Sequence, residues 1–226
     1  MSVVPAPGAR AAGLLARARA TAGFLDTGEG ERLYALAAEV GTAQQGALVE
    51  IGSYRGRSTL FLAAGVAQAR DAGAGSAVLL SVDHHRGSEE MQAGWEHHDP
   101  SLVDPVTGKM DSLPALRANL AAAGAEDLVV VVVGDSPVVA RHLVGTAGLV
   151  FVDGGHAAEV AEVDYHAWAP KVAAGGLLCF HDVFADPADG GQAPYACYRD
   201  ALASGRFVER GADRIGSLRV LERRVR

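Results

Sequence analysis

The sequence predicts an α/β fold: a mainly parallel sheet with helical crossovers, closed at its C-terminal end by an antiparallel hairpin. Three observations carry this. Short apolar runs alternate with helical patterns from residue 30 to about 205. The runs are continuous rather than alternating, as in strands buried on both faces, and helices between such strands imply parallel pairing. Beyond residue 205, "RFVER" and "SLRVLER" alternate apolar with polar residues and read as a hairpin.

The elements follow in order. The opening segment, "MSVVPAPGARAAGLLARARATAGFL", has no acidic residue before Asp26 and no long apolar stretch. It predicts an amphipathic helix, an extension over residues 1–29, folded onto the domain or onto a partner subunit. Helix "ERLYALAAEV" leads to strand "ALVEI", helix "STLFLAAGVAQAR" and strand "AVLLSV". A polar segment without clear period follows; residues 84–112 read as a lid or insert, because loops this long in a compact domain are usually lids or binding loops. Then come helix "LPALRANLAAAG", strand "LVVVVV", helix "SPVVARHLV", strand "LVFV", helix "AAEVAEVDYHAWAPKV", strand "GLLCF" and helix "YACYRDALAS". Without repeats or a low-complexity linker, residues 1–226 read as a single domain.

Bulk properties bound the function. The 226 residues are 49% hydrophobic and 21% charged, ordinary for a globular domain. A net charge of −7 speaks against an electrostatic grip on nucleic acid or an anionic membrane. No run approaches the roughly 20 apolar residues that span a bilayer. Cys179 and Cys197 are the only cysteines and have no C-x-x-C spacing, so a zinc site is not expected and a reduced, cytoplasmic protein is.

Candidate ligand-binding residues cluster at strand ends. In "LVEIGSYRGRST", Glu50 ends the first strand, and Gly52 and Gly56 flank a turn containing Ser53 and Tyr54. Ser58 and Thr59 open the next helix, whose N-terminus favours negative groups. The dinucleotide fingerprint is absent, since Tyr54 stands where its second glycine would be. The second strand ends at Asp83, followed by His84; an acid here can accept from both ribose hydroxyls of a nucleoside. The third ends at Gly134-Asp135-Ser136, against which adenine could lie. The fourth runs into "VDGGH", with Asp153 and His156, and the fifth into "CFHDV", with His181 and Asp182.

Together "VEIGSYRGRST", "SVDHH", "VGDSP", "FVDGGH" and "AGGLLCFHD" resemble class I S-adenosylmethionine-dependent methyltransferases. The resemblance is closer to the small-molecule O-methyltransferases, which include catechol-type enzymes and those modifying sugars of bacterial natural products. The pattern is also similar to the small methyltransferases that cap methylated mannose polysaccharides in mycobacteria. It covers roughly residues 30–222 and implies a Rossmann-like, seven-stranded sheet whose last strand is antiparallel.

The resemblance implies roles. S-adenosylmethionine would meet Glu50, Gly52, Ser53, Tyr54, Ser58, Asp83, His84, Gly134, Asp135, Ser136 and Asp153. Asp153, His181 and Asp182 would hold Mg²⁺ or Mn²⁺; the catechol-type pattern at the last two positions is acid–amide, so His181 departs from it. His156 stands where catechol-type members carry a lysine base. An imidazole titrates near neutral pH and can take a hydroxyl proton; a structural hydrogen bond is the other reading. Apolar positions Ala157, Val160, Val163 and Ala167 would turn one face of the following helix to the sheet.

The lid carries His84, His85, His97 and His98. Adjacent residues rarely point the same way, so these pairs read as solvated loop histidines rather than a second metal site. Trp95 among polar neighbours suits a sugar-binding surface or a loop anchor. The expected activity is O-methylation of a small hydrophilic acceptor, a sugar or oligosaccharide such as a mannoside, by a cytoplasmic homodimer. An NAD-dependent oxidoreductase and a catalytically silent binding module are the alternatives.

Overall fold

The computed structural model describes residues 6–155 and 157–225. Helix α1 (Ala9–Ala20) buries Ala11, Leu14, Leu15 and Ala18, one stripe at helical spacing. Helix α2 (Thr27–Thr42) begins with a capping box. Asp26 accepts from Gly28 N at 2.7 Å, and Glu29 accepts from Asp26 N at 3.3 Å. Strand β1 (Ala47–Ile51) then leads through a glycine turn into α3 (Arg57–Asp71).

The remaining elements are β2 (Leu79–Asp83), α4 (Leu113–Ala123), β3 (Val129–Val133), α5 (Ser136–His142), β4 (Ala147–Val152) and α6 (Ala158–Trp168). They are followed by β5 (Val172–Phe180), α7 (Ala193–Ala203), β6 (Phe207–Glu209) and β7 (Arg219–Arg223). The seven strands run in the order β3-β2-β1-β4-β5-β7-β6. The first five are mutually parallel; β7 is antiparallel to both β5 and β6, as the C-terminal alternation predicts. This is the Rossmann-like sheet expected from the sequence. Its order reverses between β1 and β4, and sheets of this kind bind ligands outside the carboxyl ends of the strands at such a point.

Two cores sandwich the sheet. Residues of α1 to α4 pack on one face, and residues of α5 to α7 on the other. The N-terminal helix therefore folds onto its own domain, against α3. Helices α2 and α3 meet at small residues: a Cβ on Gly30 would enter the Phe61 ring, and one on Gly65 would strike Ala37. Both cysteines are buried free thiols. No helix among the described residues is long and apolar enough to cross a membrane.

Three local expectations are corrected. The valine run of β3 is not buried on both faces: β3 is an edge strand, and Val130 and Val133 are exposed. In α6 the buried face is Ala161, Asp164, Tyr165 and Trp168, while Val160 and Val163 are exposed. The larger aromatic rings bury more apolar area, so they set the rotation of the helix. Strand β5 also starts earlier, at Val172 rather than Gly176.

Phe61 is fully buried between α2 and the sheet. Phe61→Ala is expected to cost about 3–5 kcal/mol, the usual range for such a truncation. Urea denaturation should show a lower midpoint at unchanged slope, the product of slope and midpoint shift giving that loss; a loss below about 1 kcal/mol would contradict this packing.

Candidate active site

A cleft of about 1060 Å³ opens along the carboxyl ends of the strands. Small-molecule sites usually span roughly 300–1,000 Å³, so this one has room for two reactants. Gly52, Ser53, Tyr54, Ser58, Asp83, His84, Gly134, Asp135, Ser136, Asp153, His181 and Asp182 all line it. His156 lies outside the described residues. Glu50 is placed differently: it is fully buried beneath the glycine turn and forms no part of the cleft wall.

The turn after β1 depends on backbone conformations that few residues tolerate. Gly52 has φ +86°, and a Cβ there would collide with the Asp153 carbonyl. The ends of β1 and β4 can approach only because Gly52 lacks a side chain. Tyr54 also holds a left-handed conformation, φ +46°. The turn is held by Asp83, whose Oδ2 accepts from Ser53 N and Tyr54 N, both at 3.0 Å. Its Oδ1 accepts from His85 N at 2.7 Å.

On the α6 side, Trp168 Nε1–H donates to Ser136 Oγ at 2.7 Å. Asp164 also lines the cleft and is hydrogen-bonded to Ser136. Burial pushes Asp164 up to about 6; the Ser136 bond opposes this and the Asp135 charge adds to it. Nothing in the sequence marked Asp164, because it falls within a pattern that reads as an ordinary amphipathic helix.

At the floor, Asp153, His181 and Asp182 converge from the ends of β4 and β5. Their potential ligand atoms all lie within 4.8 Å of one another. His181 Nδ1 is 2.9 Å from Asp153 Oδ1 and 3.2 Å from Asp182 Oδ2. Asp182 takes a left-handed backbone, φ +53°, unusual for a non-glycine residue. His181 Nε2 meets Glu29 Oε2 at 2.9 Å. The other Glu29 oxygen accepts from Ser217 N at 2.6 Å and Leu218 N at 3.2 Å. Burial by itself would depress the His181 pKa, but Asp153, Asp182 and Glu29 outweigh it and drive it far upward. Burial would likewise raise Glu29; His181 and Ser217 hold it below the usual carboxylate range. A protonated His181 places one positive charge among three carboxylates and offsets only part of theirs. The Asp26-x-x-Glu29 spacing signals a helix cap, but not that Glu29 reaches a site built by β4 and β5.

The lid contains two short 3₁₀ turns, Glu89–Met91 and Pro100–Leu102. His85 corrects the expectation of solvated histidines. It is buried, with Nδ1 2.8 Å from Ser112 Oγ, and joins the two ends of the lid. Burial depresses its pKa, partly offset by Asp83 and Asp111, so the neutral form is favoured.

The family described as "Methyltransferase domain" matches residues 49–183, more than half of the chain. The chain belongs to this methyltransferase family. Its strand order is that of the class I S-adenosylmethionine-dependent fold, and solved structures share it. A Corynebacterium glutamicum protein aligns with TM-score 0.62 at 20% identity, over 94% of this chain and 90% of its own. A Bacillus cereus O-methyltransferase complexed with S-adenosylhomocysteine gives 0.59 at 15%, over 98% and 94%. The Streptomyces achromogenes O-methyltransferase TomG, complexed with S-adenosylmethionine, gives 0.58 at 16%, over 99% and 93%. The family sets aside the oxidoreductase alternative.

Within this methyltransferase, Glu50 lies buried beneath the glycine turn and ties β1 to α3 and β2. One of its oxygens, Oε2, accepts from Thr59 Oγ1 at 2.7 Å and Ser81 Oγ at 2.9 Å. Burial raises its pKa from 4.5 to about 7, with the hydroxyl bonds opposing and Asp153 adding to the rise. The folded state therefore retains a proton that the unfolded chain releases above 4.5. Stability linked to Glu50 is full below pH 4.5 and is lost as pH rises towards 7. Glu50→Gln should thus melt higher than wild type at pH 8, with the advantage fading by pH 5. Thermal denaturation followed by circular dichroism at both pH values checks this; a pH-independent difference would disprove it.

Proposed function

We propose that the protein is an O-methyltransferase that uses S-adenosylmethionine, assisted by a divalent cation, to methylate a hydroxyl of a small carbohydrate. The observation that carries this is the convergence, in one two-reactant cleft, of donor-type loops from β1, β2 and β3 with the Asp153–His181–Asp182 cluster. Gly52 and Ser53 receive the methionine end of the donor. Asp83 accepts from a ribose hydroxyl, and Asp135 and Ser136 face the adenine. Three of the lone-pair positions of Asp83 already serve backbone N–H groups, so it shapes the turn as well as binding the ribose.

The cluster fits a divalent cation. Two carboxylates and one imidazole nitrogen can face a common point, and Glu29 on Nε2 fixes the ring orientation and leaves Nδ1 to the metal. The nitrogen suits Mn²⁺ better than an all-oxygen set would, while the carboxylates also suit Mg²⁺. When bound, the cation would lower the pKa of an acceptor hydroxyl. Asp153 and Asp182 orient that hydroxyl, and His156, three positions after Asp153, takes its proton. The oxygen forms a bond to the methyl carbon as the carbon–sulfur bond breaks, leaving S-adenosylhomocysteine. Positioning of the two reactants in line supplies much of the acceleration. A polar lid and 6% aromatic residues favour a hydrophilic acceptor over a flat aromatic one.

Two experiments test this reading. Exhaustive chelation should abolish transfer of labelled methyl to sugar acceptors, and Mg²⁺ or Mn²⁺ should restore it; full turnover after chelation would leave the cluster as an ion-paired support. His156→Ala should lower kcat by about 10²–10⁴-fold, the usual contribution of a positioned acid–base group. S-adenosylhomocysteine affinity should stay near wild type. A near-normal rate at neutral pH and saturating donor would remove His156 as the base.

A further inference from the structure

Phe24 and Trp95 are the only exposed Phe or Trp side chains among the described residues, at 57% and 61%. Both line the mouth of the same cleft. One comes from the segment between α1 and α2, the other from the lid. Large apolar rings left in water at a cleft mouth mark a binding surface.

Phe24 is held in place rather than carried on a free loop. Arg57 donates to the Leu25 carbonyl at 2.8 Å, to Thr21 O at 2.9 Å, to Arg19 O at 3.0 Å and to Thr27 Oγ1 at 2.9 Å. A cation at the first position of α3 sits at the unfavourable end of the helix dipole; these acceptors offset that cost. Gly23 lies against the stem of Arg57, where a Cβ would sit 2.9 Å from Arg57 Cβ.

The ring of Phe24 stacks on Tyr54, centroids 5.5 Å apart, and meets His97 of the lid at 4.8 Å. Arg55, also from the glycine turn, is ion-paired with Asp99 of the lid and donates to Ser101 Oγ at 3.1 Å. Through Arg55 and Arg57 the donor-side turn is fastened to both walls of the mouth.

We propose that Phe24 and Trp95 form an aromatic wall that takes the apolar face of a pyranose ring. Phe24 is then a specificity-determining residue and Arg57 its positioning residue. The inference rests on the sugar O-methylation reading above and names where the acceptor ring lies. A pyranose presents C–H groups on its faces and hydroxyls around its edge. With a face on the wall, one edge can turn inward to Asp153 and Asp182, and the rest stays near exposed Glu89 and Glu96. Arg57 is the only Lys or Arg lining the cleft among the described residues, and most of its donors are directed at the α1–α2 segment and the helix ends beside it. The mouth therefore suits a neutral ring over a phosphorylated one.

The test uses methyl α-mannopyranoside and methyl β-glucopyranoside as acceptors, with labelled donor and Mn²⁺ or Mg²⁺. Phe24→Ala and Trp95→Ala should raise acceptor KM by about tenfold or more, equivalent to roughly 1.4 kcal/mol. Their kcat should stay close to wild type, and calorimetric S-adenosylhomocysteine affinity should be unchanged. Phe24→Tyr and Trp95→Phe, which keep a ring, should restore the wild-type KM. Arg57→Ala should raise acceptor KM as Phe24→Ala does, and Arg57→Lys should not rescue it, since an ammonium lacks the forked donors. An unchanged KM in Phe24→Ala, or a Phe24→Tyr protein as impaired as Phe24→Ala, would overturn the wall. Wild-type transfer to phenols but to neither pyranoside would also overturn it, leaving methyl transfer intact. Failure to bind S-adenosylhomocysteine at all would instead bring down the methyltransferase reading, and the wall with it.

Discussion

The carboxylate of Asp83 is the tie on which the rest of the site depends. It stands at the end of β2 and accepts from Ser53 N and Tyr54 N of the turn after β1 and from His85 N at the start of the lid. Hydrogen bonds to a charged acceptor are worth more than neutral ones, and each of these N–H groups would cost energy if left unpaired. One anion thus sets the glycine turn that opens α3 and the exit path of the lid. Arg55 and Arg57 project from that turn, so the mouth inherits its geometry from Asp83. The parallel sheet makes this possible by delivering the ends of β1 and β2 side by side.

A second centre lies deeper and is built from charge. Four ionisable side chains, Glu29, Asp153, His181 and Asp182, meet at the floor of the cleft. Buried charges are tolerated when each is paired and hydrogen-bonded. Glu29 meets that condition by reaching in one direction to His181 and in the other to Ser217 and Leu218 of the loop between β6 and β7. The N-terminal helices are therefore part of the site, tied by a carboxylate to the C-terminal hairpin.

Much of the architecture was legible along the chain, because burial on both faces of a parallel sheet leaves continuous apolar runs and the terminal hairpin leaves alternation. Packing overrides pattern at two elements. "LVVVVV" looks like a central strand, yet β3 lies at the sheet edge; hydrophobicity alone does not tell a strand how many neighbours it has. In α6 the valines appeared to face the sheet, yet Tyr165 and Trp168 occupy that face because their rings fill more of the core.

For the site, local sequence was enough to mark the residues at each strand end: Gly52, Asp83, Asp135, Asp153, His181 and Asp182 are each read from the few residues beside them. Strand direction then obliges them to share one edge of the sheet. The partners that arrive from far along the chain are visible only in the folded molecule. Glu29 is 152 positions from His181, Asp164 reaches Ser136 from another element, and Phe24 meets His97 across the mouth. The tertiary structure also moved Glu50 from the cleft wall to the layer beneath. Local sequence encodes what a strand end presents, whereas which side chains meet there depends on how helices rotate and pack, and that is set by volume and charge summed over the whole fold.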